Sequence, residues 1–252
     1  KVLGLISSML TLVAAAYVSG ANYIAPVSFS QPWIPLLGTQ FSLMGDGMSS
    51  MLCLLTGIVV LVVMITNVSK EVEKPGSFYG LLLLSQAGLM GVFLAYDALV
   101  FYVFWELALI PVYFLCSQWG GEKRIAVTFK FFIYTFVGSL MLLAGLIYLS
   151  LQTPGLSSYA WADIVRAGAS LPPEKQQWLF WLVFIAFAIK MPIFPFHTWQ
   201  PDTYEQSPTP VTIILSALMV KMGMYAVLRW LVPVLPFGVA YWADTVVVLS
   251  VI

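Results

Sequence analysis

The amino-acid sequence predicts an all-α membrane protein: a polytopic bundle of transmembrane helices in which one helix is broken. Hydrophobic residues make up 61% of the chain and charged residues 9%, whereas roughly 25% of the residues of a soluble domain are charged. The mean hydropathy is +0.94. Eight apolar segments approach the roughly 20 residues that a membrane-spanning helix needs. One of them contains two closely spaced prolines, Pro192 and Pro195, which a continuous helix does not accommodate.

The eight apolar segments follow one another along the whole chain. Their approximate positions are 2–18, 48–66, 77–95, 98–118, 124–150, 177–198, 208–231 and 240–252. The apolar runs are continuous rather than alternating, which disfavours an outer-membrane barrel. Because Lys1 opens directly into the first run and Ile252 ends within the last one, we expect a partial chain.

The connections between these segments differ in kind. Residues 19–47 form a long polar and aromatic stretch that can hold a short hairpin, with VSFS and TQFSLM as its strands. Residues 67–76 form a charged turn and residues 119–123 a tight turn. Residues 151–176 form a longer loop, in which we expect a short amphipathic helix.

The positions of the cations predict an orientation in the membrane. The loops at 67–76 and 119–124 fall on one side, together with Lys1, and they carry most of the cations: Lys70, Lys74, Lys123 and Arg124. The opposite side has Arg166 and Lys175, with Arg229 near a helix end. Since cytoplasmic loops carry an excess of Lys and Arg, we expect the first side to face the cytoplasm.

Glu106 is an ionisable residue placed within an apolar span. It lies about eight residues into that span, or roughly 12 Å from the start of a hydrocarbon core of roughly 30 Å. Charges at such depth are unfavourable and are functional hypotheses by default. Glu106 is therefore a candidate proton carrier; the alternative is a protonated side chain that is hydrogen-bonded within the bundle. Pro111 frees the carbonyl of Leu107, which can then bind water or a side chain.

Lys190 lies two residues before Pro192, the first of the two prolines, so we expect the helix to break just after it. Non-helical backbone at membrane depth is tolerated where protein buries it or water lines it. A lysine beside such a break can gain and lose a proton; the alternative is a side chain that snorkels to the interface. His197, the single histidine, follows the break and suits proton transfer, although a packing role is the alternative.

Two further lysines are candidates for the same path. Lys221 lies near the middle of its span and has no acid in the same helix to pair with; Ser207 or Thr209 can cap that helix, with Pro208 or Pro210 in its first turn. Lys130 lies nearer a span end, where it either snorkels to the interface or joins the path.

The other candidate site residues have ordinary roles. Four acids near span ends are expected to be solvated or to cap helices: Asp46, Asp97, Asp202 and Glu205. Cys53 and Cys116 lie in apolar runs and are expected to pack. One histidine without a nearby Cys or carboxylate cluster cannot supply a metal site. Neither a GxGxxG motif after a strand nor a P-loop is present, so we expect no cofactor in this chain.

Several motifs resemble those of the antiporter-like subunits of proton-pumping NADH:quinone oxidoreductase, also called respiratory complex I. They are FWELALIPVYFL around Glu106, KFFIYT at 130–135, AIKMPIFPFHTWQPDTYEQSPTP at 188–210, and LMVKMGMYAVLRW after it. The resemblance is greatest to the M-type subunit, called subunit 4 in mitochondria, and it extends over essentially the whole chain. Related subunits occur in Mrp-type cation/proton antiporters and membrane-bound hydrogenases, which remain the alternative families.

The resemblance implies an antiporter-like fold with inverted repeats of five helices. Residues 1–76 would then hold two spans with the long loop at 19–47, residues 77–231 the first repeat with its broken helix near 190–198, and residues 232–252 the start of the second repeat. Glu106 would pair with Lys190, and Lys221, His197 and Lys130 would continue a proton relay that is driven by redox chemistry elsewhere in the complex.

The resemblance also implies partners and a location. The partners would be neighbouring antiporter-like subunits of the membrane arm and the lipid bilayer, and nucleic acid is not expected at a net charge of zero. The bacterial inner membrane is favoured over the mitochondrial one. A structural scaffold without transport activity is the alternative from a different functional class.

Overall fold

The computed structural model of the chain describes residues 1–22, 25–154 and 157–252. It is a helix bundle with one hairpin. Its helices are α1 (Val2–Asn22), α2 (Gly47–Asn67), α3 (Pro75–Leu94), α4 (Ala98–Trp119), α5 (Arg124–Ser150), α6 (Trp161–Ala169), α7 (Pro173–Lys190), α8 (Trp199–Gln206), α9 (Thr209–Val234) and α10 (Pro236–Val251). The two strands are β1 (Val27–Ile34) and β2 (Thr39–Gly45).

Within the described ranges, six helices are long and apolar enough to cross a membrane: α1, α2, α3, α4, α5 and α9. The helices at the two remaining predicted spans, α7 and α10, are not among these six. Helix α7 has 18 residues, among which are Glu174, Lys175 and Lys190, and α10 has 16 residues. The predicted all-α membrane bundle is confirmed, and each predicted apolar segment overlaps a helix.

The predicted hairpin in the first long connection is confirmed. Strands β1 and β2 pair antiparallel, from Val27 opposite Gly45 to Ile34 opposite Thr39. A short 3-10 turn at Pro35–Leu37 joins them and ends at Gly38, whose φ of 66° is readily adopted only by a residue without Cβ.

Asp97 attaches the hairpin to the helix bundle. It caps α4 as predicted, accepting hydrogen bonds from the backbone N–H groups of Leu99 (2.9 Å) and Val100 (3.2 Å). It is also fully buried rather than solvated, and it accepts from Thr39 Oγ1 (2.9 Å) and the Gln40 N–H (3.1 Å) of β2. Burial raises the pKa of Asp97, and these hydrogen bonds act in the opposite direction.

Asp46 has a similar role at the start of α2. Its carboxylate accepts a hydrogen bond from the Ser49 N–H at 2.9 Å in a capping box, which confirms that Asp46 caps a helix. It also pairs with Arg229 near the end of α9, which places Arg229 and the hairpin at the same end of the bundle. Burial by itself would raise the pKa of Asp46, but the hydrogen bonds from Ser49 and Arg229 bring it below its usual value.

The opposite end of the bundle carries the two turns that hold most of the predicted cations. Lys1 Nζ donates to the carbonyls of Val68 (2.9 Å) and Lys70 (2.6 Å), which confirms that Lys1 shares an end with the loop at 67–76. The tight turn between α4 and α5 is bonded to the end of α8, because the Lys123 N–H donates to Gln206 Oε1 at 3.0 Å. The predicted short helix in the 151–176 connection is α6.

Glycines allow the closest helix contacts. A Cβ atom at Gly88 of α3 would lie 2.6 Å from the backbone nitrogen of Ala108 in α4. A Cβ atom at Gly138 of α5 would lie 2.9 Å from the side chain of Ile189 in α7. These positions bring α3 against α4 and α5 against α7, so the helices that carry the candidate residues pack directly on one another.

Candidate functional site

The predicted break in the sixth apolar segment, 177–198, is confirmed, and helix α7 ends at Lys190. Regular helix does not continue to residue 198, where the predicted segment ended, because Pro192 has no N–H to donate. The carbonyl of Ala188 instead accepts from the Ile193 N–H at 3.0 Å, one residue further along. Residues 191–198 form irregular turns, and α8 follows them.

Trp199 satisfies the next carbonyl at the end of α7. Its indole Nε1–H donates to the carbonyl of Ile189 at 2.9 Å, and its ring is buried against Phe131 of α5, with centroids 4.9 Å apart. Sequence reasoning missed this residue, although a tryptophan just beyond a double-proline break was a usable signal. The hydrogen bond means that the backbone beside Lys190 is held by a side chain rather than left exposed.

Lys190 is enclosed within the bundle and does not snorkel, since only 3% of it is exposed. Its Nζ atom has no hydrogen-bond partner among the residues that the structure describes. The ammonium group lies 5.4 Å from the ring centroid of Trp105 on α4, a cation–π distance. A Cβ atom at Gly223 would lie 3.2 Å from Lys190 Cβ, so α9 closes the site from another side.

Glu106 is half-buried on α4, which passes through Pro111 as a continuous helix. Its Oε1 atom is enclosed and lacks a hydrogen-bond partner within the described ranges. No ion pair joins Glu106 to Lys190 in this part of the chain, yet the two groups are near enough for their charges to interact. The two side chains form no direct ion pair in this conformation, and Glu106 directly follows Trp105, whose ring centroid lies 5.4 Å from Lys190 Nζ.

Lys221 lies between two π-helical stretches of α9, Leu215–Met219 and Val227–Leu231. Its half-buried side chain turns back along the helix, and Nζ donates to the carbonyl of Ser216 at 2.9 Å. π-helical turns often occur at functional sites because they disturb the regular backbone hydrogen bonds.

The predicted start of α9 requires a correction. Pro208 occupies the N-cap position, and neither Ser207 nor Thr209 caps the helix with its side chain. Ser207 Oγ lies instead 3.1 Å from the sulfur of buried Cys116, so the hydroxyl is used in a contact with α4.

His197 and Lys130 lie around the irregular segment after α7. His197 stacks on Phe194, with ring centroids 5.8 Å apart, and its Nδ1 atom is enclosed without a partner in the described residues. Lys130 is partly exposed; Nζ donates to the Thr198 carbonyl and to Asp202, at 2.8 Å in each case. Asp202 is therefore an ion-pair partner rather than a merely solvated acid.

The structure thus arranges the five predicted residues in two places. Glu106 and Lys190 come together at the contact between α4 and α7, where Trp105 is the third member. Lys221 lies close by along α9, because Gly223 contacts Lys190. Lys130 reaches the backbone beside His197, as its bond to Thr198 shows.

In the described ranges, the acids, histidine and cysteines do not gather into a metal-binding group. Among the described residues, no three of these side chains lie together as possible ligands. Cys53 and Cys116 are both buried with free thiols, in agreement with the predicted packing role. Glu106, Lys190 and His197 are side chains that can gain and lose protons.

Residues 95–252 match the protein family described as "NADH:quinone oxidoreductase/Mrp antiporter, TM". The chain is 37% identical over 241 residues to F(420)H(2) dehydrogenase subunit M of Methanosarcina mazei, covering 92% of this chain and 48% of that protein. It is 36% identical over 253 residues to NADH-quinone oxidoreductase subunit M of Rickettsia bellii, covering 98% of this chain and 50% of the relative.

The fold is also similar to that of a chain in respiratory complex I from Thermus thermophilus with bound NADH. The TM-score is 0.87 at 30% sequence identity, and the match covers 98% of this chain and 51% of that one. This chain therefore spans about half the length of the relatives that it matches.

Proposed function

Because this chain belongs to the NADH:quinone oxidoreductase/Mrp antiporter family of membrane proteins, we propose that it carries a proton path within a membrane-arm subunit of an NADH:quinone oxidoreductase. The subunit would lie in a bacterial cell membrane beside other antiporter-like subunits. Redox chemistry in other subunits would supply the energy, and this chain would contribute no cofactor of its own.

The observation that carries the proposal is the state of Lys190. A lysine that is 3% exposed, without a hydrogen-bond partner in the described residues, is an unfavourable arrangement for a purely structural side chain. It lies at the end of a broken helix, where irregular backbone at membrane depth can border water. Glu106, the ionisable residue within α4, is near enough to interact with its charge.

The arrangement provides a switch for proton transfer. When the Glu106 carboxylate lies against the Lys190 ammonium, each charge stabilises the other and both groups remain ionised. When they separate within the bundle, each group is more stable in its neutral form. Lys190 then releases a proton, and Glu106 takes one up. When the pair closes again, the proton on Glu106 passes to Lys190 and restores the ion pair, so each cycle of opening and closing would pass one proton.

The remaining predicted residues extend the path from this pair. Lys221 is the next ionisable group on α9, and the disturbed π-helical backbone around it provides polar atoms at depth. His197 lies in the irregular segment after Lys190. Lys130 forms the outer end, because it is partly exposed and is bonded to the Thr198 carbonyl.

Proton pumping by the intact complex tests the proposal. Glu106→Gln and Lys190→Gln would be placed separately in the full-length subunit, with assembly checked on native gels. Pumping driven by NADH in inverted membrane vesicles should fall at least about tenfold for both variants. The matched controls change exposed residues of the same two types. They are Glu122→Gln and Lys175→Gln, and complexes with either variant should pump normally. Normal pumping by assembled Glu106 and Lys190 variants would instead support a scaffold.

A cation/proton antiporter of the Mrp type is the second candidate, because the matched family includes both classes. The same vesicles distinguish them. An antiporter subunit would exchange Na⁺ or K⁺ for H⁺ in an imposed ion gradient without NADH. An oxidoreductase subunit would move protons only while the electron donor is oxidised.

A further inference from the structure

We infer that Trp105 is a positioning residue that holds the Lys190 ammonium on its ring when Lys190 is not paired with Glu106. This inference rests on the proposed function, because it assigns the second partner of the same switch. Trp105 belongs to the FWELALIPVYFL motif but was given no role in the proton path, and the role inferred here depends on a ring rather than on a titratable group.

The contact between Trp105 and Lys190 is built into the interface of α4 and α7. Trp105 is 1% exposed, and its ring packs against Phe187 of α7, with centroids 5.4 Å apart. Lys190 lies one turn further along α7, with Nζ 5.4 Å from the Trp105 ring centroid. Packing against Phe187 thus fixes the orientation of the Trp105 ring, and the Lys190 ammonium lies near this ring.

The two partners of Lys190 follow each other directly on α4. Successive residues of an α-helix project about 100° apart around its axis, given 3.6 residues per turn. Trp105 therefore presents its ring and Glu106 its carboxylate to different sides of the same short stretch. In the inferred switch, the long Lys190 side chain exchanges one partner for the other by rotation.

A tryptophan ring suits this role because its face is the most attractive of the natural aromatic side chains to a cation. A desolvated cation–π pair is attractive, and the net gain of a buried ion pair is reduced by the cost of desolvating both charges, so the two partners of Lys190 can be of comparable strength. Two partners of comparable strength keep the switch reversible. Trp105 takes the ammonium from Glu106 before the proton is lost, and the neutral amine forms in the step that follows. With the ring weakened, Lys190 would remain with Glu106, and this sequence of steps would become slower.

Trp230 provides a matched control within the same aromatic cluster. It is 2% exposed and packs on Phe101, which also contacts Trp105; the centroid distances from Phe101 are 4.8 Å and 5.5 Å. No cation lies over the Trp230 ring in the part of the chain that the structure describes. Changes in ring electronics at Trp230 should therefore leave Lys190 unaffected.

The experiment replaces Trp105 by tryptophan analogues with increasing fluorination, incorporated at this one position of the intact complex. Fluorine changes the shape of the ring little but progressively weakens the attraction of its face for a cation. NADH-driven pumping should fall with each added fluorine, reaching a total loss between about twofold and thirtyfold, which corresponds to about 0.5 to 2 kcal/mol at 1.36 kcal/mol per tenfold change. The same series at Trp230 should give constant rates.

Pumping rates that do not change with fluorination at Trp105 would overturn the inference. An equal decline at Trp105 and Trp230 would also overturn it, because a packing effect alone would produce that result. Trp105→Phe should retain part of the pumping, and Trp105→Leu should retain less. Glu106→Gln and Lys190→Gln distinguish failure of the Trp105 role from failure of the proposed function. If those variants lose pumping while the fluorinated series is flat, only the role of Trp105 fails; if they pump normally, the proposed function fails as well.

Discussion

Two buried glutamines should respond oppositely to the same substitution. Gln176 at the start of α7 is fully buried and well bonded: its Oε1 accepts from the Phe237 N–H, and its Nε2 donates to the Leu171 carbonyl, both at 3.0 Å. Gln86 of α3 is 2% exposed, but its Nε2 has no partner in the described residues. Leucine has a similar volume to glutamine and forms no hydrogen bonds.

The expected magnitudes follow from the backbone groups that each change leaves unpaired. Gln176→Leu leaves the buried Leu171 carbonyl without its partner, at about 1–3 kcal/mol, and the partly enclosed Phe237 N–H without its acceptor at a smaller cost, so the loss of stability should be about 1–4 kcal/mol. Gln86→Leu removes an amide that lacks a partner for its donor, so the change should be near zero or stabilising.

The measurement is the apparent melting temperature of the detergent-solubilised complex, together with the fraction of subunit that assembles on native gels. We expect Gln176→Leu to lower both values and Gln86→Leu to leave both within error of the parent. Equal losses for the two variants would refute the reasoning, because burial alone, and not hydrogen-bond satisfaction, would then determine the outcome.

Three further predictions concern the site. Trp199→Phe removes the indole that bonds the Ile189 carbonyl, so stability should fall by about 1–3 kcal/mol, seen as a lower melting temperature; an unchanged value would mean that the carbonyl finds another donor. Gly223→Ala should destabilise the protein by about 1–3 kcal/mol through overpacking and should also slow pumping. The control is Gly80→Ala, where the added atom meets nothing within 4 Å and which should be neutral or stabilising by up to about 1 kcal/mol. Similar results for the two variants would contradict the close helix contact at Gly223. Lys130→Gln should slow pumping only a few-fold, because this lysine is partly exposed at the outer end of the path; complete loss in the vesicle assay would place it in the central relay instead.

The secondary structure was largely predictable from the sequence because its signals are local. Continuous apolar runs marked the helices, and the prolines after Lys190 marked the break, since a missing N–H acts within one turn of the chain. The hairpin and the capping role of Asp97 were predicted on similarly local grounds. Only the details of the ends shifted, as at Pro208, where the cap depends on the side-chain orientation of its neighbours.

The ionisable residues of the site were also predictable one by one, because a charge within an apolar span is conspicuous at any position. Their partners were not. The contact of Lys190 with Trp105, the pairing of Lys130 with Asp202 and the burial of Asp97 against the hairpin all join residues that are distant along the chain.

The sequence by itself thus determined that this is a membrane helix bundle, where one helix breaks, and which side chains are costly to bury. The tertiary structure alone decided what those side chains face. The reason is that composition and proline position act through the backbone of each segment, whereas a side chain's partner depends on how each helix is rotated about its axis and how closely its neighbours approach. Small residues such as Gly88 and Gly223 set those approaches, and their effect becomes visible only when the opposing helix is in place.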